Sequence, residues 1–185
     1  MDRYQNKYRI STARAPFWDY GSNGAYFVTL CIQNRIDWFG HVADGEMVLS
    51  EIGGIMKTEW IKTFEMRPDM NLHMGEYVIM PNHFHAIIGI GVNEYNDPTR
   101  RDAMHCVSIH DVTKNKFGPQ SKNLASVIRG FKTGVTKNAR CIHPDFAWQS
   151  RYHDHIIRDD ISYYTISAYI KKNPAKWSDD KLYSK

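Results

Sequence analysis

The sequence predicts an α+β fold, a central antiparallel sheet sandwiched with helices, on three observations. Runs rich in β-branched and aromatic residues alternate with segments of helical periodicity along one 185-residue chain. Two strand-like runs, His73 to Met80 and His83 to Ile90, stand back to back across Pro81-Asn82, which is turn chemistry. The elements then follow as strand, helix, strand, strand, helix, strand, helix, an order that suits two packed layers and a ferredoxin-like arrangement. The length suffices for one domain with a real core, read here as residues 1–185.

Residues 1–24 read as a polar N-terminal extension ending in the turn Gly21-Ser22-Asn23-Gly24. Ala25 to Gln33 reads as a strand, partly continuous in apolarity as a central strand would be. Met47 to Leu49 reads as a second, short strand. Ser50 is placed to cap a helix from Glu51, whose Ile52, Ile55, Met56 and Trp60 share a face before Pro68. After the paired strands, residues 92–122 form a long polar stretch, expected as a functional or disordered loop. Leu124, Val127, Ile128, Phe131 and Val135 line one side of the next helix, with Arg129, Lys132 and Lys137 off that side. Phe146 to Ile157 is expected to be extended. Asp159 or Asp160 can cap a last helix that Pro174 ends near Asn173.

Hydrophobic residues are 42% and charged residues 24%, the balance of a soluble globular chain. No run reaches the ~18 apolar residues of a membrane span. Met1 to Ile10 lacks an apolar stretch, so secretion is not expected. Cys31, Cys106 and Cys141 are isolated and odd in number, which argues for a reducing cytoplasm and against disulfides or a cysteine zinc site. The net charge is +4, but nine bases between Thr99 and Arg140 face only Asp102 and Asp111, a local +7 on a mildly acidic remainder. That distribution suits a polyanion binder, and equally a solvated loop followed by a charged helix face.

Pro81-Asn82-His83-Phe84-His85 is the sharpest motif. Residues two apart on a strand share a face, so His83 and His85 present adjacent imidazoles, half of a divalent-metal site. Taken alone, two half-buried histidines would read the same. A histidine-triad hydrolase needs a further histidine where Ile87 stands, and a two-histidine phosphodiesterase needs a second copy that is absent. In the last helix Tyr169 and Asn173, four apart, share a face and could act as nucleophile and polar ligand, or as core aromatic and helix cap. Tyr163 and Tyr164 are rivals on the same helix but lie around the wheel. A second His-x-His, His153-Asp154-His155, sits in a charged setting. His155 is read as a contact to DNA or a carboxylate, His153 as surface.

Five segments together resemble a known family: Gly24-Ala-Tyr-Phe-Val-Thr-Leu-Cys-Ile-Gln-Asn34, Met80-Pro-Asn-His-Phe-His85, Asn123-Leu-Ala-Ser-Val-Ile-Arg-Gly-Phe-Lys132, Trp148-Gln-Ser-Arg-Tyr-His-Asp-His155 and Tyr169-Ile-Lys-Lys-Asn-Pro174. In this order they are similar to the single-tyrosine HUH (IS200-like) transposases, and within them to the REP-associated tyrosine transposases. The resemblance spans residues 8–177. It implies metal-dependent cleavage and rejoining of single-stranded or hairpin DNA through a 5′-phosphotyrosine. It implies Tyr169 as nucleophile and His83, His85 and Asn173 as ligands of Mg²⁺ or Mn²⁺. Arg129, Lys132, Lys137 and His155 are then expected to contact DNA, and Phe17, Trp18 and Tyr20 to stack on unpaired bases. A cytoplasmic monomer or homodimer acting on bacterial nucleoid DNA is expected. The alternative is an inert hairpin-binding module of the same fold.

Overall fold

The computed structural model describes residues 18–97, 99 and 121–183. Its strands are β1 (Gly24–Cys31), β2 (Gly40–Ala43), β3 (Glu46–Leu49), β4 (Leu72–Ile79), β5 (His83–Ile90) and β6 (His153–Ile157). Its helices are α1 (Glu51–Glu65), α2 (Leu124–Ala139) and α3 (Asp160–Lys172), and a 3-10 turn runs over Pro174–Asp179. The main sheet has the order β4-β5-β1-β6 with every pair antiparallel, and β2 and β3 form a separate hairpin. Without the hairpin and α3, the chain reads β-α-β-β-α-β, the split arrangement of a ferredoxin-like core. The α+β sandwich with an antiparallel sheet is thus the fold.

Strand pleating assigns the two faces. Tyr26, Val28 and Leu30 of β1 with Phe84, Ala86 and Ile88 of β5 turn toward α1 and α2. Trp60 lies at the centre of that layer, edge-on to Phe84 and Phe131 at 5.0 and 5.1 Å between ring centres. Ring pairs in this geometry contribute ~1 kcal/mol each beyond their burial. The opposite face carries Phe27, Ile87 and Ile157, covered by Tyr163, Ile166 and Ile170 of α3. Strand β5 is therefore buried on both sides, which accounts for its unbroken apolarity.

Local chemistry sets the helix starts. Ser50 Oγ accepts from the Gly53 amide at 3.1 Å. Asn123 and Ser126 form a reciprocal capping box. Of the two aspartates, Asp159 is the cap of α3, accepting from Ser162 N at 2.7 Å. Each such cap contributes ~1 kcal/mol.

Other expectations are corrected. Strand β1 stops at Cys31, two residues short of Gln33, because Asn34 and Arg35 turn to φ of 59° and 54°. Strand β2 is unforeseen. It enters through Gly40 at φ +134°, where a side chain would collide with the Val48 carbonyl. The stretch 146–157 is a strand only from His153. Ahead of it Trp148 leaves the ladder to pack on Phe39 and Phe146, keeping one bridge to Ile32. Trp18 and Tyr20 are half-buried against the sheet: Trp18 Nε1 donates to the Tyr26 hydroxyl at 3.1 Å and the Tyr20 ring stacks on Tyr26. Phe17 lies outside the described residues, as do Arg100, Arg101, Lys114 and Lys116 of the basic stretch. At the described ends of the long loop, Lys122 and the Tyr95 hydroxyl meet on Asp69, and buried Asn96 donates to the Gly21 and Gly91 carbonyls. Among the described residues no helix is long and apolar enough to cross a membrane.

Candidate active site

The site forms where β5 begins. The turn at Pro81-Asn82 closes with the Met80 amide donating to the His83 carbonyl at 2.9 Å. From there His83 and His85 point to the α3 face, 4.6 Å apart between ring centres, with exposures of 0% and 4%.

Neighbours determine which ring nitrogen of each histidine is open. Asn82 Nδ2 donates to Asp37 Oδ1 at 3.0 Å and to the Leu182 carbonyl at 3.1 Å, which fixes Oδ1 as the amide's acceptor. That oxygen lies 2.9 Å from His83 Nδ1, so Nδ1 carries the proton. His83 Nε2 is left with its lone pair, buried and without a partner. His85 Nδ1 lies 2.8 Å from Thr29 Oγ1, its register partner on β1, and Nε2 lies 3.2 Å from the Tyr169 hydroxyl. A phenol is a better donor than an alcohol, so Nε2 accepts from Tyr169 and Nδ1–H donates to Thr29. Burial pushes His83 down to about 2, helped by His85, and burial pushes His85 down to about 4. Both imidazoles are neutral near pH 7, the form that ligates metals.

Helix α3 carries Tyr169 across this face. The ring sits edge-on to Phe27 at 6.2 Å, and Phe27 stacks on His85 at 5.3 Å. Tyr169 is 46% exposed and lines an open pocket beside the histidines. Burial raises its pKa, the Asp180 carboxylate adds to the rise, and a hydrogen bond from Asn173 opposes it. One turn on, Asn173 is buried. Its Nδ2 donates to Asp180 Oδ2 at 3.3 Å, and its Oδ1 has no partner. The 3-10 turn after Pro174 folds the chain back, setting Trp177 against His83 at 5.7 Å and bringing in Asp180. Ligand atoms of His83, His85 and Asp180 lie within 4.8 Å of one another, a group that could hold a metal ion. The orphaned His83 Nε2 and Asn173 Oδ1 suit that use, since buried polar atoms in a folded protein are rarely left unpaired.

The structure thus brings His83, His85, Tyr169 and Asn173 together. Tyr163 packs into the α3 layer, and Tyr164 is 71% exposed with its ring against Tyr163. His155 and His153 are exposed on β6, opposite Phe27 and Thr29 in register and therefore on the same face as the site. The basic helix is elsewhere. Arg129 and Lys137 are exposed on α2, which covers the other face of the sheet. Lys132 donates to the Gln149 carbonyl at 2.6 Å and lies over the Trp148 ring at 5.5 Å, which anchors the segment leading into β6. Asp180, Thr29 and Asn82 were not foreseen as site groups. Asn82 stands inside the histidine motif, whereas no spacing marks Thr29 or Asp180.

No family model matches the chain. An uncharacterized protein of Haemophilus influenzae is 36% identical over 174 residues, covering 92% of this chain and 91% of that protein. A solved structure of a REP-associated tyrosine transposase bound to a REP hairpin superposes with a TM-score of 0.59 at 21% identity. That match covers 93% of this chain and 77% of the other, and at such identity it is a likeness of fold.

Proposed function

We propose that this chain, which belongs to one family with the Haemophilus influenzae protein, cleaves and rejoins single-stranded DNA as single-tyrosine HUH transposases do. The observation that carries the reading is the Tyr169 hydroxyl 3.2 Å from His85 Nε2, beside the unpartnered His83 Nε2 and Asn173 Oδ1. The likeness of fold to a transposase that holds a REP hairpin supports hairpin DNA as the partner.

In the reaction Tyr169 Oη bonds to the scissile phosphorus and the bond from phosphorus to the 3′ oxygen breaks. The phenolic proton passes from Oη to solvent water, and the departing 3′ oxygen takes one up from water. The 5′-phosphotyrosine conserves the energy of the broken link, so a 3′-OH can reverse the step without a nucleotide cofactor. Mg²⁺ or Mn²⁺ would be held by His83, His85 and Asp180, with Asn173 Oδ1 adjoining; it would take the His85 Nε2 lone pair in place of the Tyr169 hydroxyl, freeing the phenol, and would supply charge to polarise the phosphate. Phe27 fixes the plane of His85 and the edge of Tyr169, so the two keep their alignment before substrate arrives. Arg129, Lys132, Lys137 and His155 are proposed as DNA contacts away from the reacting atoms.

The test uses a labelled hairpin with a single-stranded flank and Mn²⁺. A protein–DNA adduct stable to denaturing electrophoresis is expected, and its absence across a panel of hairpins would overturn the reading. A separate prediction concerns Thr29. Thr29→Val keeps the shape and removes the hydroxyl that orients His85, so Mn²⁺ affinity should fall roughly 10–100-fold, as for other groups that orient a metal-binding histidine. Thr29→Ser should restore it. Calorimetry showing equal affinity for the Val variant would show that His85 is held by packing alone.

A further inference from the structure

A pocket of about 350 Å³ adjoins the phenol, lined by Tyr169, Lys172, Asn173, Lys176, Asp179 and Asp180 together with outer residues of α3. Its volume is at the scale of small-ligand sites. The lysines at the end of α3 are divided between two tasks. Lys171 is paired with Glu76 at 2.9 Å, outside the pocket, whereas Lys172 and Lys176 line it. The pocket's own charges cancel, two ammonium groups against two carboxylates. The C-terminal end of α3 adds partial negative charge. An anion therefore gains little there while both aspartates offset the lysines. Asp180, however, also belongs to the group of His83 and His85 that could hold a cation. Engaging Asp180 would leave the two lysines in excess, next to the nucleophile.

Resting on the cleavage reading above, we propose that this pocket is a phosphate subsite for the nucleotide adjoining the cleaved link. Lys172 and Lys176 hold its phosphate once a divalent cation has taken up Asp180. The pocket thus orders events, since the strand is drawn against Tyr169 only in the cation-loaded protein. Lysines that merely offset the helix end would give no such dependence.

The test reads binding, with cleavage removed. In the Tyr169→Phe protein, fluorescence anisotropy of a short single strand is measured with and without Mg²⁺ across a salt series. Mg²⁺ should tighten binding, and Lys172→Gln with Lys176→Gln should remove most of that gain. In Mg²⁺ the salt slope of the lysine variant should be shallower by about 0.7 for each phosphate no longer neutralised. Without Mg²⁺ the two proteins should bind alike. Equal affinity and equal slope in Mg²⁺ would overturn the subsite. A lysine effect of the same size with and without Mg²⁺ would overturn the coupling to the cation. Failure of the cleavage reading is scored separately, by the absence of an adduct in the unaltered chain.

Discussion

Tyr169→Phe is expected to abolish the covalent protein–DNA adduct while leaving the fold intact. The substitution removes one oxygen and keeps the ring against Phe27 and His85. The lost hydrogen bond to His85 is half-exposed and should cost only ~1 kcal/mol. Loss of the nucleophile, by contrast, leaves no atom to form the phosphotyrosine. Tyr163→Phe and Tyr164→Phe should form the adduct at near-normal rates, because one ring packs between α3 and the sheet and the other faces solvent. Peptide mapping of the adduct decides among the three. DNA on any tyrosine other than Tyr169, or a normal adduct in Tyr169→Phe, would sink the mechanism. Because burial and Asp180 both raise the phenol's pKa, the adduct-forming rate should climb with pH through the neutral range.

Mild acid should destabilise the protein strongly, through the same two histidines. In the unfolded chain both titrate near ~6.5. In the folded chain burial holds them at about 2 and about 4. Unfolding therefore binds protons, and the stability that the neutral imidazoles confer is complete above about 6.5. It is lost as pH falls from there toward the folded values. By pH ~4 the combined loss is several kcal/mol, against a usual total of about 5–15. Urea midpoints should fall steeply below pH ~6, with close to two protons taken up per molecule unfolded. The variant His83→Ala/His85→Ala should begin less stable at neutral pH, by roughly 2–5 kcal/mol for each well-filled site emptied. Its midpoint should then depend less on pH over the same window. Mn²⁺ should raise the melting temperature of the unaltered chain and leave that of the variant unchanged, since a ligand stabilises only a fold that binds it. Midpoints that stay flat between pH 6.5 and 4.5 would show that the imidazoles are not buried in the neutral form.

Much of this was readable along the chain because it depends on short-range geometry. Ser50 and the Asp159-Asp160 pair announce helix starts, since a cap needs only its own side chain and an amide three residues on, and the structure chooses Asp159 of the two. His83 and His85 share a face because a strand repeats every two residues. Tyr169 and Asn173 share one because a helix repeats every 3.6 residues or so. The remainder depended on how elements meet. Thr29 reaches His85 through the register of β1 on β5, and a slip of one residue would have turned it to the other face. The Lys132 amine, expected to face DNA, also serves the Gln149 carbonyl because Trp148 folds back over α2. Arg129 and Lys137 lie across the sheet from Tyr169 because α2 buries Val127, Phe131 and Val135 against the same layer as α1. Asp180 enters beside His83 only because Pro174 ends α3 and the chain doubles back through Trp177. Periodicity constrains neighbours within an element. It carries no information about which distant side chain a turn will return to the same point, and that was decided by packing.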